Sequence, residues 1–89
     1  MITKNITIIN KLGLHARAAA KFVTIASKYE SSIDIQCKKN KVNGKSIMGV
    51  MMLAASKGIE VELIIDGTDE QHAIEALTEL INNRFDEKE

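Results

Sequence analysis

Residues 13–22, GLHARAAAKF, are the most informative stretch of the chain. They contain a turn and the first residues of a helix. Gly13 favours a tight turn, and the alanine-rich run after it predicts a helix that begins near Ala16. His15 then stands at the entrance of this helix, and Arg17 lies in its first turn. The N–H groups at a helix start are unpaired and carry partial positive charge, so they attract anions. The stretch therefore predicts a strand-to-helix turn with an anion site beside an imidazole.

The hydrophobic pattern on both sides of this turn alternates between the periods of strands and helices. The predicted elements, in chain order, are a strand near residues 3–9, a helix over 16–29, a strand over 33–37, a short strand over 41–43, a short helix over 47–53, a strand over 59–65 and a helix ending near 84. The two strands joined at residues 38–40 should pair antiparallel because their connection is short. Helices on one face of such a sheet make a two-layer α+β sandwich.

Residue types at the helix ends support these boundaries. Ser46 is a good N-cap for the short helix, because its hydroxyl can accept an N–H of the first turn. Thr68 with Gln71 three residues later matches a capping box for the last helix. We expect the acidic residues 86–89 to be frayed. The inward stripes are predicted to be Ala19, Phe22, Val23, Ala26 and Tyr29 in the first long helix, and Ile74, Leu77, Leu80 and Ile81 in the last helix.

Composition predicts a single domain spanning residues 1–89. The chain is 45% hydrophobic but only 3% aromatic, so the core must be aliphatic. Its one cysteine, Cys37, cannot form an internal disulfide, which agrees with a reducing compartment. Residues 1–5, MITKN, lack the basic start and long apolar run typical of a secretion signal, and the longest apolar run, 47–55, is too short to cross a bilayer. We expect a soluble, cytoplasmic protein without membrane insertion.

The formal net charge is zero, but the charges are unevenly distributed along the chain. Residues 1–57 contain 10 Lys and Arg against 2 Asp and Glu, whereas residues 58–89 contain 2 against 10. We favour a dipolar surface that steers partners over ordinary solvated faces. Nucleic-acid binding is not expected, because there is neither excess basic charge nor an aromatic stacking platform.

An imidazole at an anion site suggests a nucleophile that accepts a phosphoryl group. The charge on the transferred oxygens could be met by fixed N–H donors and by Arg17, whose planar fork can bind two oxygens. Such a site would be shallow, with His15 exposed to successive partners. The alternative is a solvent-exposed histidine with no role. His15, His72 and Cys37 have no metal-site spacing, so we expect neither a metal nor another cofactor.

Two other functions compete with a carrier. A small hydrolase of the acylphosphatase kind also holds phosphate between a first strand and helix, but it needs a glycine-dense loop, and here only Gly13 is available. A non-catalytic α+β effector-binding module would leave His15 incidental. A carrier forms an acid-labile adduct on nitrogen, a hydrolase releases phosphate with turnover, and a binding module does neither.

Two segments resemble the signatures of one family. GLHAR at residues 13–17, followed by Ala19, resembles the active-site signature of HPr, the histidine phosphocarrier of the phosphoenolpyruvate-dependent phosphotransferase system. GKSIMGVM at residues 44–51 resembles the segment around that family's regulatory serine. Length and element order also fit. The resemblance implies an antiparallel sheet in the order 1-4-2-3 with three helices on one side.

The resemblance also implies a function. His15 would accept a phosphoryl group from enzyme I and pass it to an enzyme IIA-type acceptor, with Arg17 stabilising the phosphohistidine. Ser46 would be the target of an HPr kinase/phosphorylase. The chain would be a monomer and a carrier, not an enzyme by itself. Ala18 in place of the family's usual proline leaves the sugar-type and nitrogen-type subfamilies open, and Ala54 replaces a common glycine.

A partner-binding surface is predicted beside both motifs. Ile47, Met48, Met51 and Met52 are more apolar side chains than one short helix can bury, so we expect at least Ile47, Met48 and Met51 to form an exposed patch. Ala16, Ala20 and Lys21 are expected to complete the docking face. The alternative is that the apolar side chains of this helix all belong to the core.

Overall fold

Four antiparallel strands form one sheet in the order β1-β4-β2-β3. The computed structural model describes all residues, 1–89. The elements are β1 (Ile2–Thr7), α1 (Ala16–Ala26), β2 (Ser32–Cys37), β3 (Asn40–Asn43), α2 (Ile47–Met52), β4 (Glu60–Asp66) and α3 (Glu70–Asn82). The predicted fold class and strand order are confirmed.

Alternation along the central strands places one face of the sheet in the core. In the β2–β4 pairing, Ile33 lies opposite Ile65 and Ile35 opposite Leu63, and all four side chains are buried. Successive residues of a strand point to opposite faces, so the intervening positions lie on the other face of the sheet. Cys37 is buried at the end of β2, as expected for a small apolar side chain.

The helices cover this face with the predicted stripes, except that Tyr29 lies beyond the end of α1 and is half-buried. The buried residues of α1 are Ala18, Ala19, Phe22, Val23 and Ala26, and those of α3 are Ala73, Ile74, Leu77, Leu80 and Ile81. Their spacing of three and four residues keeps them on one side of each helix. None of the helices is both long and apolar enough to cross a membrane.

Two predicted helix ends differ from the structure by two or more residues, and the short helix α2 ends one residue early, at Met52. The first long helix ends at Ala26 instead of Tyr29, because the chain tightens into a turn in which the Tyr29 N–H donates to the Ala26 carbonyl. Lys45 then donates from Nζ to the Tyr29 carbonyl oxygen at 2.7 Å. The last helix ends at Asn82, two residues before the predicted boundary near Arg84.

The predicted capping box of Thr68 and Gln71 is wrong. Asp69 is the N-cap residue of α3, and its side chain makes no bond to that helix. Its carboxylate instead accepts the backbone N–H groups of Glu30 and Ser31, at 2.9 and 3.0 Å. The N–H groups of Glu30 and Ser31, in the α1–β2 connection, need hydrogen-bond acceptors. The Asp69 carboxylate therefore binds these groups and does not cap its own helix.

The prediction that the tail is frayed is also wrong. Phe85 is fully buried and anchors a turn over residues 84–86. Arg84, Phe85 and Asp86 all have left-handed backbones, with φ of 55°, 52° and 62°. Non-glycine residues avoid this region because Cβ approaches the carbonyl oxygen. Burial of the aromatic ring therefore holds the chain end in an unfavourable backbone conformation.

Candidate functional site

His15 is the N-cap residue of α1, so it stands at the start of this helix as the sequence predicts. Its backbone is extended, with φ −76° and ψ 179°, and its side chain does not cap the helix. The first intrahelical bond runs from the Ala19 N–H to the His15 carbonyl oxygen at 2.8 Å. The N–H groups of residues 16–18 are therefore the unpaired donors of the first turn, available to an anion.

The loop before α1 is fixed by close packing against the α2–β4 connection. Gly13 has a φ of 67°, and a Cβ at this position would collide with the Ala55 carbonyl oxygen. Leu14 donates its N–H to the same oxygen at 2.9 Å. The buried Asn10 side chain closes the loop from the other side, because its Nδ2 donates to the Gly13 carbonyl oxygen at 2.8 Å. His15 thus projects from a loop with little freedom to move.

The His15 ring is less accessible than the sequence suggests. Its side chain is 28% exposed, and Nε2 is hydrogen-bonded to Oε2 of Glu87 in the C-terminal tail. Glu87 is itself only 14% exposed, and its other oxygen accepts Nδ2 of Asn10 at 3.0 Å. The prediction of an exposed imidazole is therefore wrong, because the ring is half-buried. Only Nδ1 of the ring makes no hydrogen bond to the protein.

Glu87 is held in its ionised form by these neighbours. Burial acts to raise the pKa of this carboxyl, but hydrogen bonds from Asn10 and His15 act in the other direction. The positive charge of Arg17, and that of the His15 ring whenever it is protonated, acts in the same direction, and the pKa of Glu87 ends below its usual range. A carboxylate, which can only accept hydrogen bonds, therefore faces Nε2 at neutral pH.

The other residues predicted for this site lie on the first turns of α1. Arg17 is exposed, and its guanidinium makes no hydrogen bond or ion pair with the rest of the protein. Ala16 is exposed and Ala20 half-buried. Lys21 is engaged by the tail, since its Nζ donates to the Phe85 carbonyl oxygen at 2.9 Å.

The second motif forms the expected helix start. Ser46 is the N-cap residue of α2, and its Oγ accepts the Gly49 N–H at 3.1 Å. Val50 is the one buried residue of this helix. The side chains that leave the core are Ile47 (44% exposed), Met48 (76%), Met51 (40%) and Met52 (76%). The predicted apolar patch is therefore exposed, and the alternative that these side chains are core is wrong.

Sequence reasoning missed Asn10 and Glu87. Neither belongs to a motif, and 77 residues separate them. One available signal was Phe85, a lone aromatic residue in an otherwise polar chain end. An apolar ring in such a segment indicates docking, and docking brings Glu87 to the site. No group of three or more His, Cys, Asp or Glu side chains is arranged to hold a metal ion, and His72 is exposed on α3.

Comparison with known proteins identifies the family of this chain. A family model described as "PTS HPr component phosphorylation site" matches residues 2–83. The phosphocarrier protein HPr of Neisseria meningitidis is 55% identical over 89 residues, which is 100% of both chains. The crystal structure of HPr-C-His from Thermoanaerobacter tengcongensis superposes with a TM-score of 0.96 at 49% identity over 100% of both chains. A second structure, an HPr dimer from the same organism, gives 0.78 at 50% identity over 98% of this chain and 100% of that one. The chain therefore belongs to the HPr family of phosphocarrier proteins of the phosphotransferase system.

Proposed function

We propose that this chain carries a phosphoryl group on His15, taken from phosphorylated enzyme I and delivered to an enzyme IIA-type acceptor. The observation that supports this most directly is the start of α1. A histidine occupies its N-cap, three N–H donors stand unpaired at residues 16–18, and the Arg17 guanidinium is free. This arrangement can hold a phosphoryl group without any metal.

The proposed transfer is a displacement at phosphorus. A lone pair of the neutral imidazole forms the new N–P bond, while the bond from phosphorus to the donor breaks and its electron pair leaves with the donor. Negative charge is spread over three oxygens in the transition state. The N–H groups of residues 16–18 and the Arg17 fork can stabilise that charge because they are already in place. Transfer to the acceptor is the same displacement in reverse.

The surface around His15 fits repeated docking by different partners. The exposed Ile47, Met48 and Met51 provide flexible apolar contact area, while Ala16 and Ala20 leave the helix start accessible. We propose that these residues, with Lys21, contact enzyme I and the acceptor. We also propose that the working form is a monomer, although the related Thermoanaerobacter HPr has been crystallised as a dimer.

The test is phosphorylation with phosphoenolpyruvate and a cognate enzyme I. We expect one phosphoryl group per chain, attached to nitrogen and lost in acid. His15→Ala should abolish the adduct, whereas the matched control His72→Ala, at an exposed position on α3, should behave as wild type. Catalytic release of free phosphate would indicate a hydrolase instead, and a wild-type chain that acquires no phosphoryl group would contradict the proposal.

We further propose that Ser46 is a regulatory phosphorylation site for an HPr kinase/phosphorylase. Its hydroxyl lies at the start of α2, directly beside the apolar patch. A phosphate would add about −1.5 to −2 charges there. Desolvating that charge would hinder docking of a partner, while the N-terminal end of α2 would tolerate it locally.

Ser46→Asp should therefore keep the fold but slow phosphoryl acceptance at His15. The measurement is the rate of phosphorylation by enzyme I, together with a circular dichroism spectrum. Ser27→Asp, which adds the same charge at the far end of α1, is the matched control. Equal rates for Ser46→Asp and wild type would refute this role.

A further inference from the structure

We propose that Glu87 is a positioning residue for phosphoryl transfer: its carboxylate holds the proton of His15 on Nε2 and leaves Nδ1 as the nucleophile. The inference rests on the proposed function of His15. Glu87 lies outside the segment that the family model matches, which ends at residue 83. The contacts of Glu87 and its neighbours in the C-terminal tail support this role.

Four contacts bring this carboxylate to the ring and keep it there. The buried Phe85 ring anchors the tail two residues earlier, and Lys21 binds the Phe85 carbonyl oxygen at 2.9 Å. On the far side of Glu87, the Lys11 N–H donates to the Glu89 carbonyl oxygen. Glu87 itself is held by Nδ2 of Asn10 on Oε1, which leaves Oε2 for His15. The carboxylate is therefore clamped in place on both sides.

The Glu87 carboxylate, a hydrogen-bond acceptor, determines which nitrogen of the imidazole bears the proton. An ionised carboxylate only accepts hydrogen bonds, so Nε2 must be the nitrogen that bears hydrogen. In the neutral ring the other nitrogen then has a free lone pair. Nδ1 has no partner in the protein, so this lone pair is available to an incoming phosphorus atom. A carboxylate orients the catalytic histidine of serine proteases in the same way.

The carboxylate also stabilises the ring during the reaction. When Nδ1 forms the N–P bond, the ring gives up electron density and becomes cationic, with the proton still on Nε2. Glu87 is in hydrogen-bond contact with this cation, on the side away from the new bond. The phosphoryl oxygens face Arg17 and the unpaired N–H groups instead. When the group leaves for the acceptor, the electron pair returns to Nδ1 and the ring is neutral again.

A glutamine at this position would present the wrong groups. Asn10 donates from Nδ2 to residue 87, so the glutamine carbonyl oxygen would turn towards Asn10. Its NH2 group would then face Nε2, which must accept, and the ring proton would move to Nδ1. Glu87→Ala removes the carboxylate, so that water becomes the hydrogen-bond partner of His15 Nε2. The proposal thus predicts that Glu87→Gln is more damaging than Glu87→Ala, although glutamine is the closer analogue.

The experiment measures the phosphorylation rate by enzyme I and the tautomer of His15 by ¹⁵N NMR, for wild type, Glu87→Ala, Glu87→Gln and the control Glu79→Gln. Glu79 is an exposed glutamate of α3 whose side chain makes no hydrogen bond or ion pair. We expect the rate to fall on the order of 10-fold for Ala and 100-fold for Gln, with the control unchanged. The proton should lie on Nε2 in wild type and shift to Nδ1 in Glu87→Gln.

Faster phosphorylation of either Glu87 variant would overturn the proposal and show that the tail blocks the site. Equal rates for all four chains, or a wild-type ring protonated on Nδ1, would overturn it as well. The NMR measurement needs no phosphoryl donor. If wild type is not phosphorylated at all, the proposed function fails, while the tautomers still show whether Glu87 controls the ring.

Discussion

Phe85→Ala tests whether one buried ring holds the C-terminal tail against the site. Phe85 is fully buried although it lies in a turn of three left-handed residues. Each such residue costs roughly 1–2 kcal/mol. The turn therefore opposes docking of the tail, and the aromatic ring is the main apolar contribution that favours it.

The expected loss follows from the size of that ring. Replacing a buried Phe with Ala costs about 3–5 kcal/mol, which includes the cavity left behind. We expect the lower end of this range, because a released tail also relieves the strain of its left-handed residues. For a chain of this length, about 3 kcal/mol corresponds to a fall in Tm of roughly 12–24 °C. Phe85→Leu, which keeps most of the apolar volume, should cost about 1–1.5 kcal/mol.

The assay combines thermal unfolding with hydrogen exchange at the Lys11 amide, which donates to the Glu89 carbonyl oxygen. This amide should exchange faster in Phe85→Ala, because release of the tail removes its acceptor. Leu12→Ala, at a residue 65% exposed, is the control and should shift stability by no more than about 0.5 kcal/mol. A loss below about 1 kcal/mol for Phe85→Ala, with unchanged protection of Lys11, would refute the reasoning.

Two further predictions concern backbone strain and pH. Ala54 has a φ of 50°, as expected if glycine is the preferred residue there, so Ala54→Gly should raise the free energy of unfolding by about 0.5–1 kcal/mol in urea denaturation. Hydrogen bonds from the Ser31 hydroxyl and the neighbouring N–H groups lower the pKa of Asp69 from 3.8 to about 2. The unfolded chain therefore binds more protons at Asp69 between these values, so the contribution of Asp69 to stability should be present above about pH 4 and be lost as the pH drops towards 2. Asp69→Asn should flatten this slope, and an unchanged slope would count against the contact.

The sequence predicts most of the fold because its signals are local. Ile33 and Ile35 alternate with polar residues in β2, and the core stripe of α1 follows helical spacing, so both faces can be assigned from the pattern. Ser46 caps α2 as its residue type predicts. Asp69 shows where such signals fail, because donors from another part of the chain determine what its side chain binds.

By itself, the amino-acid order determined the strand-to-helix turn, the histidine at its end and the apolar patch beside Ser46. Each of these depends on residues within a few positions of one another, and hydrogen bonding and burial at that range follow from residue type. Only the tertiary structure decided the surroundings of His15. Glu87 lies 72 residues after His15 along the chain. It contacts the imidazole because the Phe85 side chain packs into the core and brings the tail with it. Such long-range packing depends on the shape of the whole core, which no local pattern encodes.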